Sequence, residues 1–226
     1  LPGHQTGITI SLSYASDRLL LTRYGTMDAM AADAVAAGLL DNTRHLHSGS
    51  FFIQRALRPG LAALFAEARQ RGATTSLDTG WDPDGAWLTD DLEAVFAQTD
   101  IFLPNETEFA NITGTEDVSA GMVRLHELGV REVVLKRGGR GCIYSGPGGR
   151  FEHPGYVVEL RDTTGAGDAC NAGYLAGRLM GLGIADRLAL ANACGALTVT
   201  ASGGTGGLHG LDQARRLMAS GTLRRE

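Results

Sequence analysis

Cysteine is scarce in this chain: Cys142, Cys170 and Cys194 are the only three among 226 residues, and no two of them form a CxxC pair. That number and spacing exclude a disulfide-framed scaffold and a thiolate zinc site, and they point to a reduced, cytoplasmic setting. No apolar run approaches the roughly 20 residues a membrane span requires. The stretch that follows Leu1 is polar and glycine-containing, without the charged-then-apolar order of a leader. Positive charge is not in surplus either. Lys and Arg number 20 against 25 Asp and Glu, a formal net charge of -5. Nucleic-acid binders recruit a surplus of Lys and Arg, so this balance argues against one, while leaving room for a local positive pocket. No GxxxxGK[ST] phosphate loop occurs, and there is no internal repeat or disordered linker. Asn105-Glu106-Thr107 and Asn111-Ile112-Thr113 match the glycosylation sequon, a match without meaning in a cytoplasmic chain.

Glycine, by contrast, is abundant at 32 residues, and 43% of the chain is hydrophobic. The length suits one large domain with one sizeable core. Ile8, Ile10, Leu12 and Tyr14 alternate with polar residues and read as a half-exposed strand. Asp17-Arg18 reads as a turn, and residues 19–24 as a second strand. Residues 1–27 therefore suggest a small β flap, or lid, ahead of a core over residues 28–226. In that core the pattern predicts helices over 28–40, 57–71, 88–98, 105–112, 117–128, 167–180, 184–200 and 211–219. Strands are expected over 44–48, 73–78, 101–103, 131–136, 142–145 and 156–160. Alternation of strand and helix buries both faces of a mostly parallel sheet, which is an α/β layered fold. Ligands of such sheets lie beyond the carboxyl ends of the strands, where Asp78, Asn105, Lys136 and the loop before Gly167 fall.

The run Asp162-Thr163-Thr164-Gly165-Ala166-Gly167-Asp168 carries the strongest chemical signal. Its small residues let backbone amides approach an anion, and the helix that follows offers unpaired N–H groups and a partial positive charge. A carboxylate at Asp168, in the first helical turn, can take the proton of an attacking hydroxyl. Phosphoryl transfer needs chiefly positioning and charge neutralisation, so a base beside an anion hole is a sufficient minimum. The plainer account is a glycine turn followed by a favourable first-turn acid.

Residues 162–173 resemble the carboxyl-terminal signature of the ribokinase-like (PfkB) carbohydrate kinases. Leu103-Pro104-Asn105-Glu106-Thr107-Glu108 resembles that family's NxxE element, and Val134 to Gly141 its strand and nucleotide loop. The resemblance implies a three-layer α/β/α fold with a β lid, and ATP-dependent transfer of a phosphoryl group to an alcohol of a small sugar. It makes Asp168 the base and gives the anion-hole amides to Gly165, Ala166 and Gly167. It gives Mg²⁺ to Asn105 and Glu108, which could equally be a helix cap and its capping box. Lys136, Gly138, Gly139, Gly141 and Asn192 would line the nucleotide, unless Lys136 is a surface lysine and Asn192 an ordinary interior amide. Many members bind potassium. The matching positions are the Asp162 side chain and the carbonyls of Thr164, Thr198 and Ala201, closed by the loop at residues 203–207.

Some features stay outside the motif. His45 and His47 share a strand face without a third ligand, so a packed or cleft-lining pair is expected rather than a metal site. Asp78 and Asp82-Pro83-Asp84 follow a strand end and could edge the active cleft, with turn chemistry the simpler account. Relatives carry an earlier βαβ portion with a Gly-Gly-x-x-Asn element that holds the acceptor. Nothing before Leu1 supplies it, so an N-terminal part of the fold is expected to be missing here. A nucleoside kinase of the same family and a catalytically silent nucleotide-binding relative are the alternatives to a sugar kinase. The lid strands would close over substrate or pair with a second copy as a homodimer.

Overall fold

The computed structural model describes residues 3–13, 18–35 and 37–224. Leu1, Tyr14 and Asp17, which figure in the expected lid, lie outside the described residues. The chain divides into two compact units. One is Leu1–Asp100 with Glu127–Val130, the other Ile101–His126 with Arg131–Glu226.

The first unit opens on an antiparallel pair, β1 (Ile8–Ser13) and β2 (Arg18–Arg23), with Ile10 opposite Leu21 and Leu12 opposite Leu19. The period of two gathers Ile8, Ile10, Leu12, Leu19 and Leu21 onto one face. That apolar face is the open one: Ile8, Ile10 and Leu21 are each more than half exposed. The helix expected over 28–40 is not formed. Three short 3₁₀ turns, Gly25–Asp28, Ala32–Ala34 and Ala37–Asn42, stand in its place, and Ala31 and Val35 are extended. Alanine favours helix intrinsically, but a run without a broad apolar stripe gains too little packing to offset nucleation. Ala32 instead seats on Gly60, whose missing Cβ would lie 2.5 Å from that of Ala32.

β3 (His45–Ser48) then pairs parallel with β4 (Thr74–Leu77). Between them runs α1 (Arg58–Gln70), which buries Leu61, Phe65 and Ala68 at helical spacing and stops before Gly72 at φ +86°. α2 (Asp90–Phe96) is shorter than expected. His45 bonds Thr74 Oγ1 and Ser76 Oγ, each at 2.7 Å, and His47 bonds Ser76 Oγ at 2.7 Å, so the two are a packed cross-strand pair. Asp78 accepts from Gly80 N–H at 3.0 Å, and Asp82 from Asp84 and Trp87 N–H at 2.9 and 2.7 Å. Both aspartates are thus spent on loop geometry.

The second unit contains β5 (Ile101–Phe102) parallel to β6 (Glu132–Lys136). β7 (Cys142–Gly146) and β8 (Gly149–His153) add antiparallel at the far side, making the pairing mixed. Its helices are α3 (Glu106–Thr113), α4 (Val118–Glu127), α5 (Ala166–Leu179), α6 (Ile184–Thr198) and α7 (Leu211–Ser220). All five β6 residues are buried, which requires cover on both faces. Val134 and Tyr144 pack with Cys170, Tyr174, Leu188 and Ala191 of α5 and α6. Val133 and Leu135 point the other way, where α3 packs on β6. Helix, sheet and helix make three layers. Gly173 lets α5 meet α6, since a Cβ there would lie 2.8 Å from Leu190 O and 2.9 Å from Ala191 Cα. Glu132, buried, accepts from Tyr174 Oη at 3.0 Å and Arg178 Nη1 at 2.7 Å, locking α5 to β6.

The strand expected over 156–160 is likewise not formed. Tyr156 makes a lone bridge to Leu223, and the strand is β8, upstream. β8 is mostly exposed and returns through a two-residue loop closed by the Gly146–Gly149 pair. A solvated edge strand needs no apolar alternation, so the sequence carried no sign of it. Among the described residues no helix is long and apolar enough to cross a membrane.

Candidate functional site

At the carboxyl ends of β5 and β6, Asn105 and Lys136 stand side by side in a parallel bridge, and Lys136 N–H donates to Pro104 O at 2.8 Å. Lys136 is the single lysine of the sequence. It is not the surface lysine it could have been. It is 8% exposed, and its ammonium donates to Asn171 Oδ1 at 3.1 Å. A Cβ built on Gly167 would lie 3.7 Å from Lys136 Nζ. The one buried ammonium of the unit therefore lies against the first turn of α5, at the positive end of the helix, where Ala166 N–H reaches Thr163 O at 3.3 Å.

Gly165 is the N-cap of α5 at φ +75° and ψ -2°. Only glycine fits there, for two reasons. The conformation is left-handed, and a Cβ would sit 2.6 Å from Gly204 O and 2.7 Å from Gly204 Cα. Asp162 ties the two loops together. Its Oδ1 accepts from Thr164 N–H at 2.9 Å and its Oδ2 from Gly203 N–H at 2.8 Å. Thr198, the buried last residue of α6, and Ala201 fall in the segment that meets Asp162. The Asp162 N–H reaches Val199 O at 3.3 Å. The residues expected for a monovalent cation are thus gathered around one loop junction.

Asp168 lies in the first turn of α5 and is exposed. Among the described residues nothing bonds its carboxylate. Asn105 caps α3 in a full capping box: Glu108 N–H donates to Asn105 Oδ1 at 2.9 Å, and Asn105 N–H and Nδ2 donate to the Glu108 carboxylate at 2.8 and 2.7 Å. Asn105 is exposed and Glu108 is 5% exposed, so the acid lies behind the amide and fixes it. Among the described residues no cluster of three His, Cys, Asp or Glu forms a metal cage. Such a sparse oxygen set suits a hard cation such as Mg²⁺, which keeps most of its water.

A cavity of about 520 Å³ opens here. Of the expected nucleotide and anion-hole residues, Lys136, Gly138, Gly139, Gly141, Asn192, Ala166 and Gly167 line it, with Asn105 at its edge. Gly138 and Gly141, at φ +55° and +84°, turn the chain tightly around Arg140, whose guanidinium pairs with Glu106. Asn192 is both an interior tie and a wall residue. Its Nδ2 donates to His153 O at 3.0 Å, and its Oδ1 accepts from Cys142 Sγ at 3.0 Å. Sequence reasoning missed the remaining wall. Gly155, Tyr156, Val158, Leu160, Val199 and Arg224 also line the cavity. Residues 156–160 signalled themselves only as an apolar run, and Arg224 gave no signal. Among the described residues the wall carries two cations, Lys136 and Arg224, and no carboxylate. A chain of net charge -5 has thus concentrated positive charge where an anion would sit.

Comparison with known proteins agrees with this picture. An ATP-dependent ribose-1-phosphate kinase of Halopiger xanaduensis is 33% identical over 181 residues, which are 79% of this chain and 56% of that protein. A fructokinase of Klebsiella pneumoniae is 37% identical over 137 residues, 57% of this chain and 44% of that one. The chain therefore spans about half the length of these relatives. A candidate Ribokinase II of E. coli, solved with ATP and Mg²⁺, superposes with a TM-score of 0.87 at 26% identity, covering 97% of this chain and 72% of that chain. That superposition bears out the ribokinase-like three-layer fold with its small β lid. The pfkB family carbohydrate kinase pattern matches residues 1–209, and the chain belongs to that family.

Proposed function

We propose that the protein transfers the γ-phosphoryl group of ATP to a hydroxyl of a small sugar such as ribose, fructose or a related carbohydrate. The observation that carries this is the carboxylate-free cavity in which Lys136 lies against the first turn of α5. ATP would lie with its base toward Asn192, Tyr156 and Val158 and its phosphates toward Lys136, Gly138 and Gly139. Similarity to a ribose-1-phosphate kinase, a fructokinase and an E. coli protein solved with ATP and Mg²⁺ supports this reading.

Asp168 is the base in this reading. Its carboxylate takes the proton of the acceptor hydroxyl as the oxygen attacks the γ-phosphorus, the bond to the β-phosphate oxygen breaks, and ADP leaves. The amides of Gly165, Ala166 and Gly167 face the charge of the migrating group, aided by the helix end and by Lys136. Mg²⁺ would neutralise phosphate charge. Asn105, held by Glu108, would take it through water. Asp162, with the carbonyls of Thr164, Thr198 and Ala201, would take potassium and keep the anion-hole peptide in place. The exposed apolar face of β1 and β2 serves as the contact of a homodimer, and sedimentation of a monomer at every concentration would remove it.

The test is ATP-dependent phosphorylation across pentoses, hexoses and nucleosides, with wild type and Asp168→Asn. Turnover should fall by at least about 10²-fold while nucleotide affinity holds. An Asp168→Asn enzyme of undiminished turnover removes the base from its role. A panel in which only nucleosides are phosphorylated removes the sugar.

A further inference from the structure

Two of the three cysteines meet inside the cavity wall. Cys142 opens β7 and Cys170 lies in α5, and their sulfurs are 3.6 Å apart. Both residues line the cavity, and Cys170, at 7% exposed, is the more open of the two, with Cys142 at 1% directly behind it. Their neighbours are the chemically important groups. Cys142 stands opposite Lys136 in the β6–β7 register, and its Sγ–H donates to Asn192 Oδ1. Cys170 is one half-turn beyond Asp168, on the same helix.

We propose that Cys142 and Cys170 form an oxidisable dithiol, which hydrogen peroxide converts to a disulfide that disables the cavity. One sulfur attacks a peroxide oxygen. The S–O bond forms, the O–O bond breaks, and the leaving hydroxide departs as water with the thiol proton. The second sulfur attacks the resulting sulfenic sulfur, the S–S bond forms, the S–O bond breaks, and a second water leaves. Two thiols and one peroxide become one disulfide and two waters, each sulfur losing one electron and each peroxide oxygen gaining one.

The consequences follow from bond length. A disulfide needs its sulfurs about 2.05 Å apart, so they must close on one another from 3.6 Å. β7 and α5 absorb that movement, close to the helix end that carries Gly167 and Asp168. The Cys142 thiol can no longer donate to Asn192, whose amide then loses one of the bonds that orient it against the nucleotide wall. The neighbouring Cys170 thiol, followed by burial, pushes the Cys142 thiol well above its ordinary pKa, with Lys136 and Arg137 opposing. The Cys142 thiol therefore stays neutral near pH 7, and its oxidation accelerates as pH rises.

The test is peroxide treatment of the intact protein, read by free-thiol titration, intact mass and non-reducing peptide mapping. Titratable thiols should fall from three to one, the mass should drop by two hydrogens, and a Cys142–Cys170 peptide should appear that dithiothreitol releases. Cys194→Ser should keep that peptide and Cys142→Ser should lose it. Sulfinic acid at either cysteine without the linked peptide, or a link to Cys194 instead, would overturn the proposal. Mapping of the wild type alone decides this, even if a variant does not fold. The effect on ligand binding rests on the nucleotide reading above. Oxidised protein should bind ADP at least about tenfold more weakly, and equal affinity in the two forms would overturn the disabling effect. Reduced protein that binds no ADP would defeat the nucleotide reading alone, since the mapping does not depend on it.

Discussion

Alanine at Gly165 separates two ways in which a glycine can matter, because Gly203 in the facing loop supplies an internal comparison. Both residues have positive φ, +75° and +83°. An alanine in that region costs about 1–2 kcal/mol from its backbone alone. At Gly203 nothing lies within 4 Å of the new Cβ, so the backbone cost is the whole cost. At Gly165 the Cβ would meet Gly204 O at 2.6 Å, where ordinary contact begins at 3.4 Å, so one loop must retreat by roughly 0.8 Å. Overpacking of that kind adds about 1–3 kcal/mol. The retreat also pulls on the bonds by which Asp162 holds Thr164 and Gly203. Gly165→Ala should therefore cost about 3 kcal/mol, and Gly203→Ala about 1. In a chain of this size those losses correspond to drops in Tm of roughly 6–12 °C and 2–4 °C. Turnover should separate further, because a displacement near 1 Å at the reacting centre costs on the order of 10²-fold. Thermal denaturation and an ADP-release assay on both variants measure the two effects. Equal Tm losses and equal turnover would show that the close approach of the two loops does no work, and would refute the reasoning.

Lys136→Met should weaken ADP binding by roughly 10–100-fold, the worth of a charge-assisted bond to phosphate, as read by titration calorimetry. An unchanged affinity would place the phosphates elsewhere. Burial lowers the His153 pKa below its ordinary 6.5, so the unfolded chain takes up that proton before the folded one does. Stability should accordingly fall as pH drops below about 6.5 and level off once the folded histidine also titrates. In His153→Gln, urea midpoints measured across that range should lack this component.

How much of this was legible in the sequence depended on whether a local rule and the tertiary environment agreed. They agreed at α5. Glycines mark the turn, an acid marks the first turn, and Gly173 permits the approach to α6, so one short segment announced the helix and its packing. They agreed again at Asn105 and Glu108, where the spacing of a capping box is also the spacing that fixes an amide at a cavity edge. The α-helix expected over residues 28–40 shows the opposite case. Alanine propensity is a weak local preference, and seating Ala32 on Gly60 outweighed it. β8 failed for another reason: pairing along a solvated edge is written in backbone bonds to β7, which side-chain patterning does not report.

The cavity wall is the part no local rule could reach. Tyr156 and Arg224 come from distant stretches of chain, and each has an ordinary sequence context. What joins them is the sheet edge and the return of the chain after α7, where Arg224 N–H meets Gly155 O at 2.7 Å and Val157 N–H meets Thr222 O at 2.8 Å. Those two bonds hold residues 155–157 against the carboxyl-terminal segment instead of in a strand. The same displacement explains the missed strand and the missed wall together. The apolar run read as a strand is instead the apolar side of the cavity, whose two cations are Lys136 and Arg224. Motif residues thus report the turn, the helix end and the buried ammonium beside it. The unmarked residues around them set the shape that holds the rest of the ligand, and that shape comes only from the fold.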